Sequence, residues 1–131
     1  MLVVYETGRA GEAALREAGE LAAGGCELAV VTLAPQAKAL KCCGGGGPGP
    51  YNCAVRDEAA EELRHAQSLL GSLAGRARFR TLVGTPPPLA EFSAEQAFDV
   101  ILLPAHRFAR AGGPLARRLR RTTAAEIRVV R

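Results

Sequence analysis

The sequence has no tryptophan, one methionine, two histidines and an aromatic content of only 5% across 131 residues. So few rings give no stacking platform for single-stranded nucleic acid, and nucleic-acid binding is not expected. No apolar run approaches the ~18 residues that cross a bilayer, so no membrane association is expected either. The opening MLVVYETGRAG has no basic start, and its apolar run is too short for a signal peptide. The expected location is the cytoplasm, where thiols stay reduced and the four cysteines need not form a structural disulfide framework. Chemical signatures are missing as well. There is no Ser-His-Asp set with a nucleophile elbow and no His-Glu-x-x-His, so no catalytic residue is assigned and the chain is read as a non-enzyme. No segment repeats at solenoid spacing.

What is present suits one folded domain over residues 1–131. This length buries roughly two thirds of the unfolded surface, and 48% hydrophobic residues set the chain apart from disordered polymers. Charge is uneven. Residues 101–131 hold eight arginines against Glu126, a net +7, which leaves −3 for the first 100 residues of a chain at +4 overall. Such a basic end suits phosphate groups or acidic partners, or is a solvated helix face.

The pattern alternates between short apolar runs and helical stripes. LVVYE at 2–6 reads as a strand, and Ala14, Leu15, Ala18, Leu21 and Ala22 recur at helical spacing before Gly24-Gly25. CELAVVTLA is β-branched and ends at Pro35. Val55, Ala59, Leu63, Ala66, Leu70 and Leu73 predict a helix from about 52 to 74. RFRTLVG at 78–84 reads as a strand, TPPPLAEFSAEQAF as a helix opened by prolines, and DVILLPA as a strand covered on both faces. GGP at 112–114 predicts a helix start with Pro114 at its first position, and EIRVVR closes the chain as a strand. The order βαβαβαβαβ predicts an α/β domain with an open parallel five-stranded sheet and helices on both faces. Ligands of such sheets bind beyond the carboxyl ends of the strands, where strand order reverses. The segments to inspect are therefore YETG, LAP with the loop behind it, VGTP, and PAHRFARAGG.

The loop at about 36–52 contains KCCGGGGPGPYNC. Cys42, Cys43 and Cys53 are candidates for metal or redox chemistry. A structural zinc site normally has paired C-x(2–4)-C arms and four ligands, which adjacent cysteines do not supply, so a metal is not expected. His65 is the one nearby fourth ligand, if it faces back. Thiol exchange is the alternative, with Cys53 near a helix start and Lys41 beside Cys42. A phosphate-binding P-loop is excluded by the lack of its Lys and hydroxyl. The plain reading is a slack glycine loop, with Tyr51 and Asn52 available as ligand contacts or Asn52 as a helix N-cap.

LVVYETG, ELAVVTLAP, LVGTP followed by a helix, FDVILLPAH and the terminal RRLRRTTAAEIRVVR together resemble the universal stress protein family, over nearly the whole chain. The resemblance implies a Rossmann-like fold of the adenine nucleotide alpha hydrolase-like kind. It also implies an adenine nucleotide ligand such as ATP or AMP, and a homodimer paired through the last strand. It places Glu6 and Thr7 at the adenosine part, Leu33 at the adenine through its backbone, and the phosphates on a Gly-x-x-Gly, nine residues, Gly-Ser/Thr signature. Here Pro104 stands at the first glycine and His106 matches a histidine often found in the signature. Arg107 stands at the second glycine, the spacer is shorter, and Gly113 fits the last glycine with Pro114 after it. Glu6 replaces an aspartate. His106, Arg107 and Arg110, ahead of Gly112 and Gly113, offer an anion site built on side chains, since arginine forks hold phosphate. The open alternatives are solvated arginines without nucleotide, a thiol redox or metal sensor, and a dimeric interaction protein that keeps the fold alone.

Overall fold

The computed structural model describes residues 1–37, 49–105 and 113–131. In chain order the elements are β1 (Leu2–Val4), α1 (Arg9–Ala23), β2 (Leu28–Pro35), α2 (Gly49–Leu70), a 3-10 turn (Gly71–Arg76), β3 (Ala77–Gly84), α3 (Leu89–Gln96), β4 (Val100–Pro104), α4 (Pro114–Thr122) and β5 (Glu126–Val130). The strands form one parallel sheet in the order β3-β2-β1-β4-β5. This is the α/β architecture that the alternation of elements predicts.

The apolar strand runs are explained by burial on both faces. In β1, Leu2 and Val4 point to one side and Val3 to the other, as the period of two requires, and all three are buried. On the first side they meet Leu89, Ala90 and Phe98 around α3 and Ala116 and Leu119 of α4. On the second, Val3, Tyr5, Val30 and Leu102 meet Ala14, Leu15 and Ala18 of α1 and Ala66 and Leu70 of α2. Each large side chain removed from water in these layers contributes about 1.5–3 kcal/mol, before the entropy of ordering it.

Both boundaries of α2 differ from the sequence reading. Helix α2 begins at Gly49, inside the expected loop, because Pro50 supplies a first-turn φ and lets the helix start ahead of its apolar stripe. It ends at Leu70, since Gly71 takes a left-handed φ of 54° and the chain tightens into the 3-10 turn. Asn52 therefore sits inside the helix and is not its N-cap. Its amide instead donates to the Ala37 carbonyl at 3.3 Å and accepts from the Ala37 N–H at 2.9 Å, joining the two sides of residues 38–48.

The connections after β1 and β4 leave in opposite directions across the sheet. The chain builds outward from β1 through β2 to β3, then returns to place β4 on the other side of β1 and β5 outside it. That reversal opens a crevice at the carboxyl ends of β1 and β4. Its walls are set by close packing. Gly11, in the first turn of α1, lies so near the Glu6 carbonyl that an added Cβ would fall 1.8 Å from its oxygen. No helix among the described residues is long and apolar enough to cross a membrane.

Candidate ligand-binding cleft

The crevice holds a cleft of about 570 Å³, lined from four strand ends and three helices, α2, α3 and α4. This is within the range of small-molecule sites. The strand side supplies Tyr5 and Glu6 after β1, Leu33 and Pro35 from β2, Thr85, Pro86 and Pro87 after β3, and Leu103 and Pro104 from β4. Helix α2 contributes Tyr51, Val55, Glu58, Ala59 and Glu62, at spacings of four, three, one and three residues, so one helical stripe forms a wall. Leu115 and Arg118 of α4 close another side. Most of these side chains are apolar, which suits a planar or hydrocarbon part of a ligand.

The polar groups are held by named partners. The Thr7 N–H donates to Oε1 of Glu62 at 2.9 Å, tying the β1–α1 loop to α2. Burial pushes the Glu62 carboxyl above the usual carboxylate range; the Thr7 hydrogen bond partly opposes this, and the neighbouring charge of Glu58 adds to it. Beneath, the Tyr5 hydroxyl shares a hydrogen bond with Nδ1 of His65 at 2.6 Å. Burial raises the Tyr5 phenol, and the charges of Glu12 and Glu62 act in the same direction, against a lowering hydrogen bond with Thr7. Arg118 is paired with Glu91 of α3. Thr85 donates from its hydroxyl to the Gln36 carbonyl, bracing the proline wall.

Comparison with solved structures finds the same architecture. A universal stress protein family member from Burkholderia pseudomallei is similar at 23% identity with a TM-score of 0.72, covering 98% of this chain and 92% of that one. The fold is that of the universal stress proteins. The structure of a universal stress protein from Archaeoglobus fulgidus in complex with dAMP is 22% identical, with a TM-score of 0.66 over 99% of this chain and 96% of that one. A universal stress protein in complex with cAMP is 20% identical, with a TM-score of 0.59 over 100% of this chain and 97% of that one. No protein-family model matches the chain, and no curated protein matches it in sequence.

Within this universal stress protein fold, the expected site residues separate into three groups. Glu6, Leu33 and Pro104 line the cleft together. Thr7 reaches it through its backbone, by way of Glu62. Gly113 is the N-cap of α4, with Pro114 in the first turn as anticipated. His106, Arg107, Arg110 and Gly112 lie outside the described residues, as do Cys42 and Cys43. Cys53 is exposed at the fifth position of α2, past the turn whose free N–H groups would act on it. Cys26 is exposed before β2, at the opposite end of that strand from the cleft. His65, the expected fourth ligand, has its Nδ1 in the hydrogen bond with the Tyr5 hydroxyl. Among the described residues, no group of three or more His, Cys, Asp or Glu is placed to hold a metal ion.

The sequence reading pointed to VGTP, whose Thr85 and Pro86 line the cleft, but missed Glu58, Glu62 and Pro87. Glu58 and Glu62 are four residues apart and therefore share a helix face, a signal present in the sequence. It carried no weight because paired carboxylates on a helix ordinarily face water.

Proposed function

We propose that this chain is a universal stress protein-like regulatory module that binds an adenine nucleotide, ATP or AMP, in the cleft and catalyses no reaction. The observation that carries the reading is the cleft at the strand reversal, into which Glu6, Leu33 and Pro104 converge. The dAMP and cAMP complexes of structurally similar proteins support it. No metal is part of this reading. The phosphates are assigned to the segment of His106, Arg107 and Arg110, leading into Gly112 and Gly113.

Calorimetric titration with ATP and AMP, with and without magnesium, tests this after co-purified nucleotide has been removed. Micromolar binding is expected, together with its loss in the Arg107→Ala/Arg110→Ala double variant. Absence of binding refutes the nucleotide reading; unchanged affinity in the double variant refutes the arginine site. The module is further proposed to be cytoplasmic and to form a homodimer through the edge strand β5, whose Ile127, Val129 and Val130 are only partly covered. The exposure of Cys53 favours a second reading, thiol redox sensing with Cys42 and Cys43. A Cys53→Ser variant with unaltered peroxide behaviour would remove it.

A further inference from the structure

Helix α4 carries arginines that the cleft does not use. Ala116 and Leu119 face the core, and Arg118 is engaged by Glu91. Arg117, Arg120 and Arg121 are exposed and have no ion pair among the described residues. With Pro114 they line a shallow hollow of about 470 Å³. The helix dipole accounts for Arg120 and Arg121 in the last turn but not for Arg117, which lies near the other end. Neighbouring cations repel one another along a helix, so an anionic surface laid against this face relieves it.

The chain itself carries such a surface. On α2, Asp57, Glu58 and Glu61 are exposed. Asp57 and Glu58 have no ion pair among the described residues, and Glu61 has only the exposed Arg64, 2.6 Å away in a pair worth little. From Arg117 the arginines follow at steps of three and one residues toward the carboxyl end. From Glu61 the acids follow at the same steps toward the amino end. Two antiparallel helices therefore match every pair: Arg117 with Glu61, Arg120 with Glu58 and Arg121 with Asp57. A parallel pairing of Arg117 with Asp57 leaves Arg120 opposite Ala60. In the antiparallel register the uncharged Pro114 falls opposite Arg64.

The two faces do not meet within one chain. Helix α4 packs on the side of the sheet that holds Leu2 and Val4, and α2 on the side that holds Val3. We propose that the arginine face of α4 docks, antiparallel, on the acidic face of α2 in a second copy of this chain. The contact joins two different surfaces, so it is heterologous and separate from the β5 edge. Exposed ion pairs are weak singly, which makes it transient and salt-sensitive. It does not depend on the nucleotide reading.

Static light scattering of the full chain, read as the second virial coefficient, tests this. Arg117→Glu/Arg121→Glu is compared with Arg16→Glu/Arg76→Glu, which reverses two exposed arginines elsewhere. Each double variant takes the formal charge from +4 to zero, so the two are charge-matched. At about 0.05 M salt the control is expected to attract itself, with a negative coefficient, and the α4 variant is not. At about 1 M, where screening acts within roughly 3 Å, the difference is expected to vanish. Adding Asp57→Arg and Glu61→Arg to the α4 variant returns the charge to +4 and restores the pairs with their signs exchanged. This quadruple variant should match wild type, which also excludes a folding defect as the cause of the loss. Equal coefficients in the two charge-matched variants overturn the proposal, as does a quadruple variant well above wild type. Arginine-dependent binding of a duplex oligonucleotide or of phosphatidylserine vesicles, without self-attraction, also overturns it and assigns the face to a polyanion.

Discussion

Replacing Gly11 by alanine is the sharpest perturbation the fold offers, because Gly19 in the same helix supplies its own control. Both glycines are buried on α1. In an ordinary helix interior, Gly→Ala stabilises by up to about 1 kcal/mol. At Gly19 a Cβ would meet only Leu70 Cδ2 at 3.6 Å and Leu73 Cδ1 at 3.7 Å, normal contact distances. Gly19→Ala should therefore be neutral or raise Tm by ~3 °C. At Gly11 the Cβ would lie 1.8 Å from the Glu6 carbonyl oxygen and 3.0 Å from its carbonyl carbon, and backbone cannot swing aside as a side-chain tip does. Overpacking of this kind costs about 1–3 kcal/mol or more, outweighing the helix gain. A net loss of about 2 kcal/mol corresponds to a fall in Tm of about 6–10 °C for a chain of this size. The displaced loop also carries Thr7, whose N–H holds Glu62, so nucleotide binding should weaken with it. Thermal and urea unfolding of the two variants decide the matter. If Gly11→Ala and Gly19→Ala shift stability in the same direction, the close approach of α1 to Glu6 is not a real constraint.

Three other outcomes follow from the same structure. Glu62 has its carboxyl raised by burial, so the native state holds its proton more tightly than the unfolded chain and its contribution to stability declines as pH rises through that raised value. Glu62→Gln, which still offers Thr7 an acceptor, should then be at least as stable as wild type at pH 7, with the difference disappearing below about pH 4; a destabilised variant at neutral pH would show that the charge on the acceptor outweighs the cost of its burial. The chain lacks tryptophan and its two tyrosines differ sharply, Tyr5 being 1% and Tyr51 56% exposed. Adenine nucleotide should quench tyrosine emission by a larger fraction in wild type than in Tyr51→Phe, where only the buried Tyr5 of the cleft floor remains, and equal quenching in both would place the ligand away from the mouth of α2. Thr32, fully buried in β2, donates its hydroxyl to the Ala59 carbonyl at 3.0 Å and lies 3.1 Å from the Thr81 hydroxyl. Thr32→Val should cost roughly 1–2 kcal/mol in urea unfolding, and a neutral result would mean that this link between β2 and α2 carries no net stability.

The strands were readable because burial on both faces writes itself as uninterrupted apolar sequence, as in VILLP of β4. The start of α4 was readable because glycine followed by proline has few other uses. What escaped was decided by tertiary partners. Asn52 beside a helical stripe is a reasonable cap until Pro50 starts the helix earlier and Ala37 takes the amide. His65 carries no mark that Tyr5, sixty residues away, engages its ring. Glu58 and Glu62 advertise a shared face but not what that face meets, which depends on β1 and β4 lying side by side. Glu6, Leu33 and Pro104 were named through family resemblance, and the three line one cleft.

The position of β1 has a consequence for how the chain comes together. This three-residue strand lies at the middle of the sheet, with Leu2 opposite Ala29 on one side and Ile101 on the other. Its first partner follows 27 residues later and its second 99 residues later. A ribosome that has reached β3 has therefore released a half-sheet whose growing edge is Leu-Val-Val, bare of charge and of proline, the type of edge that joins other chains. Only the arrival of β4 closes it. The same event creates the crevice between β1 and β4, so completing the core and acquiring the ligand site are one step, and a chain interrupted before residue 100 should have neither.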